Sequence, residues 1–134
     1  WRRSTCEAVR YPDFGDAAVV SLPDALEEEQ PGFGGFVRYE READIPAAQS
    51  VVLEISHAAE GIELFVNGRS AGIQIVPVYR YDITDLVRPG LNQIVVEVAT
   101  TLERVVPGKV YPGMTPPVPV NHCGIDGTVR AWLR

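Results

Sequence analysis

The chain has 134 residues, 46% of them hydrophobic and 22% charged, which is the size and balance of one ordinary globular domain. Its net charge of −6 opposes binding to a phosphate backbone, so nucleic acid is not an expected partner. No apolar run approaches the ~20 residues that span a bilayer, and no basic-then-apolar leader opens the chain, so a membrane is not expected either.

From the start, residues 4–10 can form a strand, and Tyr11-Pro12-Asp13-Phe14-Gly15-Asp16 reads as turns. Asp24 to Gln30 suits a short helical turn with Ser21 or Asp24 as its cap and Pro31-Gly32 as its terminator. Within it, Glu27-Glu28-Glu29 reads as a solvated face, since consecutive helical residues do not converge on one ion. Phe36 to Glu42 alternates as a strand should. Val51, Leu53 and Ile55 form one face of the next, and Ile62, Leu64 and Val66 one face of the strand after it.

Asn67-Gly68 follows directly, and this dipeptide accepts positive φ at both centres of a type I′ hairpin turn. The return strand is expected at Ala71 to Val76, ended by Pro77. Tyr81 to Thr84 then gives a short strand, and Asp85 to Arg88 one helical turn capped by Thr84 or Asp85 and broken at Pro89-Gly90. Asn92 to Ala99 is the strongest strand, with Ile94, Val96 and Val98 inward and Glu97 outward. Five prolines between 105 and 121 predict a surface loop. Thr128 to Leu133 closes the domain with Val129, Ala131 and Leu133 inward. No helical period exceeds about two turns, and seven or more short strands predict an all-β antiparallel sandwich with neighbouring termini.

Catalytic patterns are sparse. The five serines lie in no nucleophile elbow. His57 continues the 51–55 strand or begins its turn and reads as structural, while His122 and Cys123 are chain neighbours whose side chains diverge on extended backbone. A stand-alone hydrolase using that Cys/His pair is the least favoured alternative. Cys6 and Cys123 are read as two buried thiols; a bridge between them, the alternative, would contribute about 4–5 kcal/mol in the chain-entropy model. No cofactor or metal is expected. Asp82 and Asp85 could hold calcium, but turn and capping roles account for both. A pair of carboxylates for glycoside cleavage would need a cleft, and the acids here fall in turns, the acidic run and outward positions such as Glu63 and Glu97.

Two stretches are distinctive. The first runs from Gly61 through Val66-Asn67-Gly68 to Gly72; the second holds Asp82-Ile83-Thr84, Gly90 and Asn92 before the apolar strand. With Gly34-Gly35-Phe36 upstream and Cys123-Gly124-Ile125-Asp126-Gly127 downstream, the order resembles the sugar-binding-type jelly-roll domain of glycoside hydrolase family 2 and related large glycosidases. The likeness covers roughly residues 30–134. It implies a galactose-binding-like jelly roll spanning 1–134 as one domain, cut from a longer glycoside hydrolase whose catalytic domain is its partner and carries the catalytic carboxylates. The lone methionine, Met114, in a chain opening at Trp1 agrees with a piece of a longer protein, and eleven arginines to one lysine agree with a bacterial gene.

Asn67, Gly68, Asp82, Thr84, Gly90 and Asn92 are expected to be structural. Should the domain touch carbohydrate, Tyr79, Arg80, Tyr111 and Trp132 are the candidates, with Tyr81 flanking Arg80, because aromatic rings stack on pyranoses and guanidinium forks donate to hydroxyls. Two functions follow: an accessory domain packed on a catalytic one, for which a flat apolar patch would speak, or an independent carbohydrate-binding module, for which an exposed aromatic cluster would.

Overall fold

Alternation of apolar residues builds two facing sheets. A computed structural model describes residues 1–100 and 123–134, and among these it holds nine strands. They are β1 (Arg2–Glu7), β2 (Ala18–Val19), β3 (Gly35–Ile45), β4 (Val51–Ile55), β5 (Gly61–Val66), β6 (Arg69–Gln74), β7 (Tyr79–Asp82), β8 (Gly90–Ala99) and β9 (Val129–Leu133). A six-stranded antiparallel sheet runs β2-β1-β3-β8-β5-β6, and a three-stranded one runs β7-β4-β9. The expected all-β sandwich is present. The expected loop over 105–121 lies outside the described residues.

The core fills the space between the sheets. Val37, Tyr39, Ile62, Leu64, Val66, Ile94, Val96 and Val98 come from the large sheet, and Val51, Leu53, Ile55, Tyr79 and Tyr81 from the small one. Every inward position expected in β4, β5 and β8 is buried. The two core tyrosines of β7 need partners for their hydroxyls, because a buried unpaired hydroxyl is costly. Tyr81 donates to the Ile62 carbonyl at 3.1 Å, and Tyr79 to the carbonyls of Ala58 and Glu60. Burial pushes the Tyr81 phenol up to about 12.

Asn67 and Gly68 have φ of 50° and 80°, so the turn has the expected hand. Because the turn is only two residues long, Arg69 pairs at once with Val66, and β6 spans Arg69–Gln74 rather than the expected 71–76. Valine at Gly68 must hold that φ with a branched Cβ, and we expect Gly68→Val to destabilise by about 1–3 kcal/mol. Urea unfolding measures this, and an unchanged midpoint would contradict the turn assignment.

Other boundaries also move. β1 ends at Glu7, where its partner β3 begins at Gly35, and Ala8–Arg10 coils into a 3-10 turn instead of continuing the strand. The helical turn is α1 (Leu26–Glu29), with Ala25 at its N-cap and no side-chain cap, so neither Ser21 nor Asp24 plays that role. Asp24 is instead drawn into the interior, where its carboxylate accepts from Arg3 at 2.7 Å and from the Tyr39 hydroxyl at 2.6 Å. Tyr39 in turn accepts from the Ile125 amide at 3.1 Å, and a Cβ on Gly124 would sit 2.0 Å from that hydroxyl. Glycine is required there for close approach as well as for its φ of 83°.

The acidic run is not merely a solvated face. Glu29 pairs with Arg3 at 2.5 Å, and Glu27 accepts from the Cys123 amide at 3.4 Å. Glu97 corrects another expectation. It points to the outer face of the large sheet, yet the 11–16 loop covers it: Arg38 and Tyr11 donate to its two oxygens at 2.7 and 2.8 Å, and Phe14 stacks over Arg38.

Both cysteines are buried and neither is in a disulfide, and burial raises the Cys6 thiol above its usual range. In β9 the residues expected inside do face the inter-sheet space. Val129, Ala131 and Leu133 line one recess with Trp1, Leu53 and Ile94, which also places the two chain ends together. They stay partly open to solvent because β9 is the edge of the narrow sheet.

Candidate functional site

The outer face of the small sheet gathers the side chains best suited to binding. Register places Glu54 between Arg80 and Arg130, and Val52 between Asp82 and Trp132. Ser50, Val52, Glu54, Arg80, Asp82, Trp132 and Arg134 line a recess of about 470 Å³. Trp132 is 56% exposed. Arg80 donates through Nε to Glu54 at 2.9 Å, and Asp82 accepts from the Thr84 hydroxyl at 2.5 Å, which with the Thr84 amide holds its carboxyl below the usual range.

Of the four carbohydrate candidates, Arg80 and Trp132 meet in this recess. Tyr79 does not. Successive residues of a strand point to opposite faces, and β7 starts at Tyr79, two residues before its expected start at Tyr81; with Arg80 outside, Tyr79 and Tyr81 are both core. Tyr79 therefore offers no ring to a ligand, and the expectation is corrected. Tyr111 lies outside the described residues, as does His122.

Of the two expected placements of His57 the structure takes the second: β4 ends at Ile55, and His57 lies on the turn that follows. It is exposed, and its Nδ1 sits 2.5 Å from an Asp126 carboxylate oxygen at the surface. Among the described residues no group of three or more His, Cys, Asp or Glu could hold a metal ion, and no helix is long and apolar enough to cross a membrane. Register also sets Glu63 opposite Glu97, but both Glu97 oxygens are taken by Arg38 and Tyr11, and Glu63 accepts from Ser70 at 2.7 Å.

The motif residues form a knot. Asn92 donates to the carbonyls of Arg88 and Gly90 at 2.7 and 2.9 Å and accepts from the Arg88 amide at 2.9 Å. Asn67 donates to Asn92 at 2.9 Å and to the Leu86 carbonyl at 3.0 Å, while its own oxygen takes the Gln93 amide at 2.9 Å. Thr84 accepts from the Val51 amide at 3.0 Å, and Gly90 holds a φ of 100°. Asp82, rather than Thr84 or Asp85, caps the following turn. These side chains hold the β5–β6 turn, the 84–88 turn and β8 together.

No protein-family model and no curated protein matches the sequence. Solved structures do. A rhamnosidase from Novosphingobium sp. PP1Y matches with a TM-score of 0.78 and 21% identity over 97% of this chain, which is 14% of that one. An FMN-binding β-glucuronidase from Faecalibacterium prausnitzii L2-6 matches at 0.65 and 24% identity, over 87% of this chain and 19% of its own. Another F. prausnitzii β-glucuronidase gives 0.63 and 19%, over 74% and 20%. This is the fold of one small part of large glycosidases. The likeness is one of fold, and the chain spans 14–20% of the length of these enzymes.

One surface was not anticipated. Ile73, Ile75, Val76 and Val78, on edge strand β6 and the segment after it, are 69%, 74%, 68% and 50% exposed. Ile73 and Ile75 adjoin Tyr11 and Phe36 on the outer face of the large sheet. The signal was in the sequence: Ile73-Gln74-Ile75-Val76-Pro77-Val78 keeps apolar residues where an edge strand ordinarily carries charge.

Proposed function

We propose that this chain is a non-catalytic accessory domain of a bacterial glycoside hydrolase, packed against the rest of that enzyme. The exposed aliphatic edge of Ile73, Ile75, Val76 and Val78 carries the proposal. A contiguous apolar patch rimmed by polar residues marks a surface that another protein surface covers. Covering each isoleucine would contribute about 1–2 kcal/mol to domain packing. The fold likeness supplies the kind of partner, since each of the matched glycosidases holds this sandwich within a far longer chain.

The chemistry fits a supporting role. Cys123 is buried, and Glu63 and Glu97 are engaged with neighbours. We expect the isolated chain to show no turnover of common aryl glycosides, including rhamnosides and glucuronides. Turnover that survives repurification and vanishes on a single carboxylate-to-amide change would overturn the proposal.

A further inference from the structure

We propose that β9 is a pairing edge through which two copies of this chain associate, strand against strand, about a two-fold axis at Ala131. Among the described residues β2, β6, β7 and β9 close the two sheets, and the first three are poor templates. β2 is two residues long. β6 shifts register against β5 between Leu64 and Phe65, and its Gly72 holds a φ of 111°. β7 is bridged by the Gln74 side chain, which donates to the Arg80 carbonyl at 2.6 Å and accepts from the Arg80 amide at 3.1 Å. β9 carries none of these devices. It pairs with β4 from Val129 to Leu133 without a break, contains no proline, and has Arg130 as its one charged residue.

The bonds at its two ends fix which backbone groups of β9 face outward. The Arg134 amide donates to the Ser50 carbonyl at 3.0 Å, the Ser50 amide donates to the Arg134 carbonyl at 3.2 Å, and the Ser56 amide donates to the Thr128 carbonyl at 3.0 Å. Antiparallel bonding alternates, so the even-numbered residues bond β4, while the amides and carbonyls of Val129, Ala131 and Leu133 point away from it. The same three residues face a recess of about 220 Å³, lined also by Trp1, Leu53 and Ile94, with Arg41, Asp44 and Arg130 as its charged members. Leu133 is 39% exposed there. A partner strand would complete the ladder and cover apolar surface at once.

A second copy of β9 fits that place, in one register. Centring the pair on Arg130 sets two arginines opposite each other, and centring it on Trp132 sets Arg130 opposite Arg134 of the second copy. Centring it on Ala131 avoids both clashes. Arg130 then stands across from Trp132 of the second copy, guanidinium against indole, and Val129 stands across from Leu133 over the joined recesses. Ala131 exchanges bonds with its own copy, and its methyl group leaves the axis uncrowded. So short a strand pairing sits at the small end of specific interfaces, and an affinity of about 10–100 μM is expected. The inference is independent of the accessory-domain reading, because β9 and the Ile73 edge lie on opposite sides of the sandwich.

Sedimentation equilibrium of the 134-residue chain, from about 5 μM to about 1 mM, tests this. A reversible monomer–dimer equilibrium is expected, and a monomer throughout the range would overturn the proposal. Ala131→Pro removes the outward amide at the axis, where an edge strand tolerates proline, and Leu133→Lys sets an inward charge beside it. Each variant, once its folding is verified by its thermal midpoint, should dimerise about tenfold more weakly or less. Undiminished association of the folded variants would overturn the assignment to β9. Ile73→Lys with Ile75→Lys should leave the equilibrium unchanged; loss of the dimer there would move association to the large sheet and overturn the proposal as well. Oxidative cross-linking reads the register. Ala131→Cys, with its Cα about 5.5 Å from that of its copy, should give a linked dimer, and Leu133→Cys, more than about 13 Å from its copy, should not. Linkage through Leu133→Cys and not through Ala131→Cys would overturn the axis.

Discussion

Replacing Asp24 with alanine is expected to destabilise the domain by about 3–5 kcal/mol, the usual cost of stripping one partner from a buried ion pair. The Asp24 and Arg3 side chains are 3% and 7% exposed, so water cannot substitute freely for the lost carboxylate. Arg3 would keep only Glu29, whose side chain is 56% exposed. Tyr39 would lose its acceptor, and the Ala25 amide would lose its bond to Asp24 at 2.8 Å. The network joins the first strand, the segment before α1, β3 and the turn at Gly124-Ile125, so its loss loosens four distant parts of the chain together. Chemical unfolding measures the effect, and a loss below about 1 kcal/mol would contradict it. Arg3→Met combined with Asp24→Leu should recover much of the stability, because apolar replacement of both partners removes the stranded charge.

The second large effect is expected at Asn92, which is 1% exposed. Asn92→Ala removes two donated and two accepted bonds and leaves the Arg88 amide, the Arg88 and Gly90 carbonyls and Asn67 short of partners. Water can reach part of this site through the recess lined by Glu42, Arg88 and Leu91, so the expected cost is about 2–4 kcal/mol rather than the full sum. Asn92→Asp should not rescue it, since a carboxylate oxygen would then face the two carbonyls. Asp85→Ala, on the neighbouring turn, is the control and should change stability by less than about 0.5 kcal/mol. Similar midpoints for Asn92→Ala and Asp85→Ala would refute the structural role of the knot.

The sandwich was legible where one face of a strand meets the core and the other meets solvent. Val51-Leu53-Ile55, Ile62-Leu64-Val66 and Ile94-Val96-Val98 each follow that rule, and each triplet is buried. Asn67-Gly68 was legible because so few residue pairs accept two positive φ angles. Tyr79 misled because Tyr79, Arg80 and Tyr81 look alike as a polar-aromatic cluster until the strand's starting residue fixes which ones turn inward. Asp24 and Glu97 misled differently. Their burial depends on Arg3 and on the 11–16 loop, partners brought in from distant sequence that no local pattern reveals.

The candidate site was legible in part: Arg80 and Trp132 share a recess, but Glu54 and Arg134 join them only through the pairing of β4 with β7 and β9. The apolar edge escaped because Ile73 and Ile75 also fit an interior strand. Only the sheet order shows that nothing among the described residues pairs beyond β6.

Packing through that edge is most directly tested by placing Ile73→Lys and Ile75→Lys in two contexts, the 134-residue chain alone and the full-length glycosidase in which the proposal places it. Lysine is well tolerated on an exposed edge strand, so the isolated chain should keep its thermal midpoint. In the full-length enzyme the same pair should lower the unfolding temperature of the sandwich and expose it to limited proteolysis, as the covered edge loses its apolar contact. A full-length enzyme that keeps both its midpoint and its protease resistance would contradict the packing role.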